Sequence, residues 1–112
     1  MPRIARSITL WKRKEIINLF RKARRIYQHE ELDISITPHT EELSKVLIVV
    51  PSRVGTAPQR NKIRRRIKSI FYENKLYKEG YHWIFFVKPS ATKLTFAQLH
   101  AIIIACLPYL KK

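Results

Sequence analysis

Apolar and polar positions along the chain fall into short blocks of two different periods. Ile16, Phe20 and Ala23 recur at i, i+4 and i+7, while Lys12, Arg13, Lys14, Arg21 and Lys22 fill most of the intervening positions. This predicts an amphipathic basic helix that opens near Ser7 or Thr9, either of which can cap the first free N–H groups. Arg25 to Gln28 carries a weaker strand signal. From Glu31 to Thr37 the period changes to two, with Leu32, Ile34 and Ile36 alternating with Asp33, Ser35 and Thr37. That is a strand with one apolar face.

Lys45 to Val50 is a largely β-branched run, apolar after its first residue and closed by Pro51, which predicts a strand buried on both faces. Ser52 to Pro58 follows as a loop containing Gly55 and ending in a proline suited to the first turn of a helix. Between Gln59 and about Lys75, Ile63, Ile67, Ile70 and Phe71 fall at i, i+4, i+7 and i+8, a helical core stripe. Gly80 breaks the chain, and His82 to Lys88 is an aromatic and β-branched strand ended by Pro89. Thr95-Phe96-Ala97-Gln98 is a capping box. It opens a last helix with Phe96, Leu99, Ile102, Ile103 and Cys106 on its apolar positions and a stop at Pro108. The predicted class is α+β: a small mixed sheet of three to four strands packed by three helices, in the order helix, three strands, helix, strand, helix.

Length and composition narrow the function. A chain of 112 residues with 46% hydrophobic residues is expected to form a single domain over residues 1–112. Residues 1–8, with Arg3 and Arg6, read as a mobile basic tail that orders on a polyanion. Lys and Arg number 23 against 8 Asp and Glu, a formal charge of +15. Such a chain repels itself until a polyanion neutralises it. The single cysteine, Cys106, allows no internal disulfide, and a reducing cytoplasm is the expected setting. No apolar run is long enough for a membrane span or a signal peptide. His29, His39, His82 and His100 are scattered and show no ligand spacing with Cys106. The only Asp is Asp33, and residues 43–72 contain no acid, so no carboxylate cluster for a catalytic metal is expected.

Residues 60 to 68 read Arg-Asn-Lys-Ile-Arg-Arg-Arg-Ile-Lys. On a helix Asn61, Arg64, Arg65 and Lys68 occupy i, i+3, i+4 and i+7 and form one polar face beside the apolar stripe. Like charges at this spacing repel by a few tenths of a kcal/mol per pair, roughly, in isolated helices. A solvated basic face is the ordinary reading of such a run. Here it follows a glycine-containing loop in an acid-free stretch of a strongly basic chain, so the partner is expected to be a polyanion. Arg supplies forked donors for phosphate, and Asn can donate and accept at a sugar or base edge. Charge alone does not separate RNA from DNA.

The pattern Arg53, Gly55, Ala57, Arg60, Asn61, Lys62, Arg64, Arg65 and Lys68 resembles the signature of the protein subunit of bacterial ribonuclease P. The flanks agree over nearly the whole chain: Ile16 and Phe20 in the first helix, the strand from His82 to Lys88, and the closing helix introduced by Leu94-Thr95-Phe96. Ile16 stands where the family has an aromatic, Ala23 where it has Gly, Ser52 where it has Lys, Thr56 where it has Asn, and Lys62 where it has Arg.

The resemblance implies a left-handed crossover and an accessory role in an endoribonuclease whose catalytic centre lies in an RNA. That RNA holds the Mg²⁺ ions and removes the 5′ leader of precursor tRNA, with one monomeric protein per RNA. Arg53, Arg60, Asn61, Lys62, Arg64, Arg65 and Lys68 would contact the RNA subunit. The leader would lie in a cleft between the first helix and the sheet. Its candidates are Phe20, with Ile16, Ile34 and Ile36 as apolar walls and Lys88 as a nearby charge. Alternation alone leaves open which sheet face is exposed. Trp11 is a further stacking candidate, whereas Trp83 and Cys106 read as core. The alternatives are a generic basic RNA-binding module of the small ribosomal type and an autonomous His-dependent ribonuclease.

Overall fold

The computed structural model describes residues 12–38, 44–78 and 80–109. The elements are α1 (Arg13–Lys22), β1 (Arg24–Gln28), β2 (Leu32–Pro38), β3 (Val46–Val49), α2 (Ala57–Glu73), β4 (Tyr81–Val87) and α3 (Phe96–Ala105), joined in part by short 3₁₀ turns. Among the described residues, three helices and four strands form the α+β architecture that the periods predict. Helix α1 begins at Arg13, after an extended Lys12 whose N–H donates to Glu15 Oε1 at 3.2 Å. It does not run on unbroken from Ser7 or Thr9, which lie outside the described residues, as do Arg3, Arg6, Trp11 and His39.

The sheet order is β1-β2-β4-β3, antiparallel except for the parallel β3–β4 pair. The connection β3–α2–β4 is therefore a parallel crossover. One sheet face meets α2 and α3: Ile34, Ile36, Trp83 and Phe85 are buried with Ile63, Ile67, Ile70, Phe71, Leu99 and Ile103 in one cluster. Phe71 meets Trp83 edge-on at 6.1 Å, and Trp83 stacks on Phe85 at 5.9 Å. The other face carries α1, where Leu19 is buried and Phe20 lies 5.8 Å from Phe86.

The strand buried on both faces is β4, whose Tyr-His-Trp-Ile-Phe-Phe-Val sequence runs through the middle of the sheet. The expectation of double burial for 45–50 is corrected. β3 is an edge strand and Leu47, Ile48 and Val49 are only half-buried. Residue type alone does not report whether a strand lies at the centre or the margin of a sheet.

Helix α2 is fixed at its start by local chemistry. Thr56 N–H donates to Gln59 Oε1 at 2.8 Å and Gln59 N–H donates to Thr56 Oγ1 at 3.3 Å, with a proline in the first turn. A Cβ on Gly55 would stand 2.3 Å from Gln59 Oε1, so Gly55 leaves the space in which Gln59 folds back. At the other end Asn74 Nδ2 donates to Ile70 O at 2.8 Å, and Lys75 takes a positive φ of 54° that turns the chain. Removing the cap through Thr56→Ala should cost about 1 kcal/mol in urea denaturation. Ile67→Ala, which empties a fully buried site, should cost about 2–5 kcal/mol.

Candidate nucleic-acid interface

The apolar stripe of α2 faces the sheet, so its basic flank is turned toward β3, the outermost of the described strands on that side. Together they enclose an open groove of about 780 Å³. Its floor is Val46, Leu47 and Ile48 of β3 with Pro58 at the start of α2. Its wall is Asn61, Arg64, Arg65 and Lys68, the four residues that the helical spacing places on one face. Arg64 Nη1 donates to Asn61 Oδ1 at 2.9 Å, which aligns the guanidinium along the wall.

The other basic residues of the segment are distributed around the helix. Lys62 lies on the opposite flank, where with Gln59, Arg66 and Thr92 it lines a separate cavity of about 130 Å³. Arg66 is anchored there by donating to Leu94 O at 3.3 Å. Arg60 is half-buried, and its Nε is enclosed without a hydrogen-bond partner. Arg53 is exposed in the 3₁₀ turn Ser52–Val54 that precedes α2. The seven residues expected to contact RNA thus form a group of four, with Lys62, Arg60 and Arg53 set apart from it.

The sheet face under α1 is a second surface of different character. Phe20 is 46% exposed and Ile17 48%, while Ile16 is half-buried. Phe20 and Phe86 form an aromatic pair across helix and sheet. Ile34 and Ile36 do not belong here. They are 0% and 1% exposed within the α2/α3 cluster, because the larger apolar surface of those two helices takes the apolar face of β2. In their place the α1 side of β2 presents Asp33 and Ser35, which the register sets opposite Phe86 and Ile84. Phe86 and Ile17 were not among the expected residues. The two-residue period that links Ile84, Phe86 and Lys88 could have singled out Phe86.

Lys88 lies at the end of this face and is already engaged. Its Nζ donates to His29 O at 2.7 Å and lies 3.0 Å from Asp33 Oδ1. Helix α1 is tied to the sheet by Glu15 and Lys45, 2.7 Å apart. Lys45 N–H donates to Nδ1 of the buried His82 at 2.9 Å. Cys106 is buried, its Sγ donates to Ile102 O at 3.3 Å, and burial pushes the thiol up to about 11, so it stays protonated and inert at neutral pH. Among the described residues, no three His, Cys, Asp or Glu side chains converge into a metal-holding group. No helix among them is long and apolar enough to cross a membrane.

A basic wall over an apolar floor presents the cationic donors that a polyanion takes. The sequence matches the Ribonuclease P family over residues 4–111, and the chain belongs to that family. The ribonuclease P protein component of Ureaplasma urealyticum serovar 10 is 26% identical over 87 residues, 78% of this chain and 74% of that protein. The solved RNase P protein of Staphylococcus aureus has the same fold, with a TM-score of 0.80 at 19% identity over 93% of this chain and 95% of that one. The RNase P protein of Thermotoga maritima gives 0.77 at 21% identity over 91% and 96%.

The Glu15–Lys45 pair has a pH signature. The hydrogen bond from Lys45 holds the Glu15 carboxyl below the usual carboxylate range, against partial desolvation that works the other way. A carboxylate lowered by folding stabilises above its unfolded value, and that contribution disappears as pH falls through the lowered one. Glu15→Gln should therefore reduce stability at neutral pH and change it little in acid below both values. Urea midpoints of the two proteins at each pH check this.

Proposed function

We propose that the chain works as the protein subunit of ribonuclease P, binding the catalytic RNA through α2 and the 5′ leader of precursor tRNA under α1. The observation that carries this reading is the convergence of Asn61, Arg64, Arg65 and Lys68 on one groove in a chain that matches the family over residues 4–111. The groove offers cations and an amide. Such donors bind phosphate and sugar oxygens and do not suit Mg²⁺, which takes oxygen ligands such as carboxylates. The Mg²⁺ ions and the cleavage chemistry are accordingly assigned to the RNA, and the protein neutralises charge and holds the substrate. One protein per RNA, in the cytoplasm, completes this reading.

In the leader site, the exposed Phe20 and its neighbour Phe86 give unpaired bases an aromatic surface on which to stack. Lys88 can receive a phosphate by exchanging its contact with Asp33. A generic RNA-binding module has no use for an exposed aromatic pair on a second face.

Two outcomes test the assignment. Replacing Arg64, Arg65 and Lys68 together by Ala should weaken binding to the RNA subunit and reduce the slope of log K against log salt by about 0.7 to 0.9 per lost phosphate contact. An unchanged slope would remove this face from the interface. Phe20→Ala should weaken binding of leader-bearing precursor by about tenfold, within the roughly 1–3 kcal/mol carried by one stacked base, and spare mature tRNA. Equal losses for both RNAs would make Phe20 a packing residue.

A further inference from the structure

Away from the groove, α2 carries a second cationic flank that lines a much smaller space. At about 100° per residue, Asn61, Arg64, Arg65 and Lys68 gather around one direction of the helix, whereas Lys62 and Arg66 lie about 100° and about 140° round from Asn61. There, with Gln59 and buried Ile63 of α2 and with Ala91 and Thr92 of the 3₁₀ turn Pro89–Lys93, they line a cavity of about 130 Å³. This lies well below the roughly 300–1,000 Å³ of sites that enclose a whole organic ligand and above the roughly 30 Å³ share of one water. It is the scale of one small oxyanion. The lining chemistry agrees: it holds two cations and no carboxylate. Lys62 and Arg66 stand at i and i+4, a spacing at which like charges repel until an anion lies between them. Arg66 is held in place, because its Nη1 donates to Leu94 O at 3.3 Å, which ties the guanidinium to the chain just past the turn and leaves its other N–H donors outside that bond. Gln59 Oε1 accepts from Thr56 N–H at 2.8 Å, so its amide N–H donors are the part left over. Thr92 Oγ1 donates to Pro89 O at 3.0 Å and closes the turn that forms the other wall.

Resting on the reading of the chain as an RNA-binding subunit, we propose that this cavity is a single-phosphate site that takes one backbone phosphodiester of the bound RNA. The forked guanidinium of Arg66 meets its two non-bridging oxygens, the Lys62 ammonium supplies the second charge, and the Gln59 amide adds a donor. With the groove engaged on the other flank, the RNA straddles α2 and reaches the turn that leads into α3.

The test has two arms. In the first, the ¹⁵N-labelled full chain is titrated with inorganic phosphate against chloride at constant ionic strength and followed by nuclear magnetic resonance. The amides of Lys62, Arg66, Ala91 and Thr92 should shift together with one saturating midpoint, and Arg66→Gln should abolish the shifts at Ala91 and Thr92. Turn amides that stay in place in the unsubstituted chain would overturn the proposal without recourse to any variant. In the second arm, binding to the ribonuclease P RNA is measured as a function of salt. Lys62→Ala combined with Arg66→Gln should reduce the slope of log K against log salt by about 0.7 to 0.9, one phosphate contact, while Lys78→Ala, which removes an exposed cation outside the cavity, should leave it unchanged. A loss twice as large would mean two separate surface contacts and overturn the single-phosphate site. Saturable phosphate shifts with an unchanged RNA slope would make the cavity a site for free phosphate and overturn its assignment to RNA, leaving the ribonuclease P reading intact. Failure of the unsubstituted chain to bind the RNA would overturn both.

Discussion

The packing of α2 against β4 is the constraint on which the rest of the molecule depends. Ile63, Ile67, Ile70 and Phe71 are buried against a sheet face that includes Trp83 and Phe85, and each contributes about 1.5–3 kcal/mol through burial. Like-charge neighbours on the outer face cost about 0.2–0.5 kcal/mol per pair. Burial wins, so a helix crowded with cations stays folded without its polyanion. The rotation that seats the stripe also aims Asn61, Arg64, Arg65 and Lys68 at the edge of β3. The parallel β3–α2–β4 crossover supplies the second wall of the groove, because it leaves β3 at the sheet edge beside the helix that follows it.

The two sheet faces are held in different ways. The α2/α3 face is a continuous apolar core. The α1 face is held by buried Leu19, the Glu15–Lys45 pair and the Phe20–Phe86 contact, leaving two large apolar side chains of α1 half exposed.

Much of this was legible from the residues. The stripe of α2, the Thr95-to-Gln98 capping box and the alternation of β2 reflect local patterns, and local patterns survive folding. What the periods do not contain is the identity of the neighbours. Alternation in β2 shows that Ile34 and Ile36 share a face but does not say which helix covers it, and that is decided by the apolar surface of α2 and α3. An apolar run such as 46–49 reads alike at the centre and the edge of a sheet. The engagement of Lys88 by Asp33 joins residues far apart in sequence and leaves no local trace. The separation of Lys62 from Asn61 was available from helix geometry, since neighbours on a helix point about 100° apart, although a contiguous basic run invites reading as one surface.

The most direct test of the central claim is cleavage of a 5′-leader precursor tRNA by the cognate ribonuclease P RNA, at Mg²⁺ low enough that the RNA alone is slow. The account predicts strong stimulation by this protein, cleavage at the mature 5′ end, and no cleavage by the protein alone. A folded protein that binds the RNA tightly and leaves its cleavage rate unchanged would contradict it.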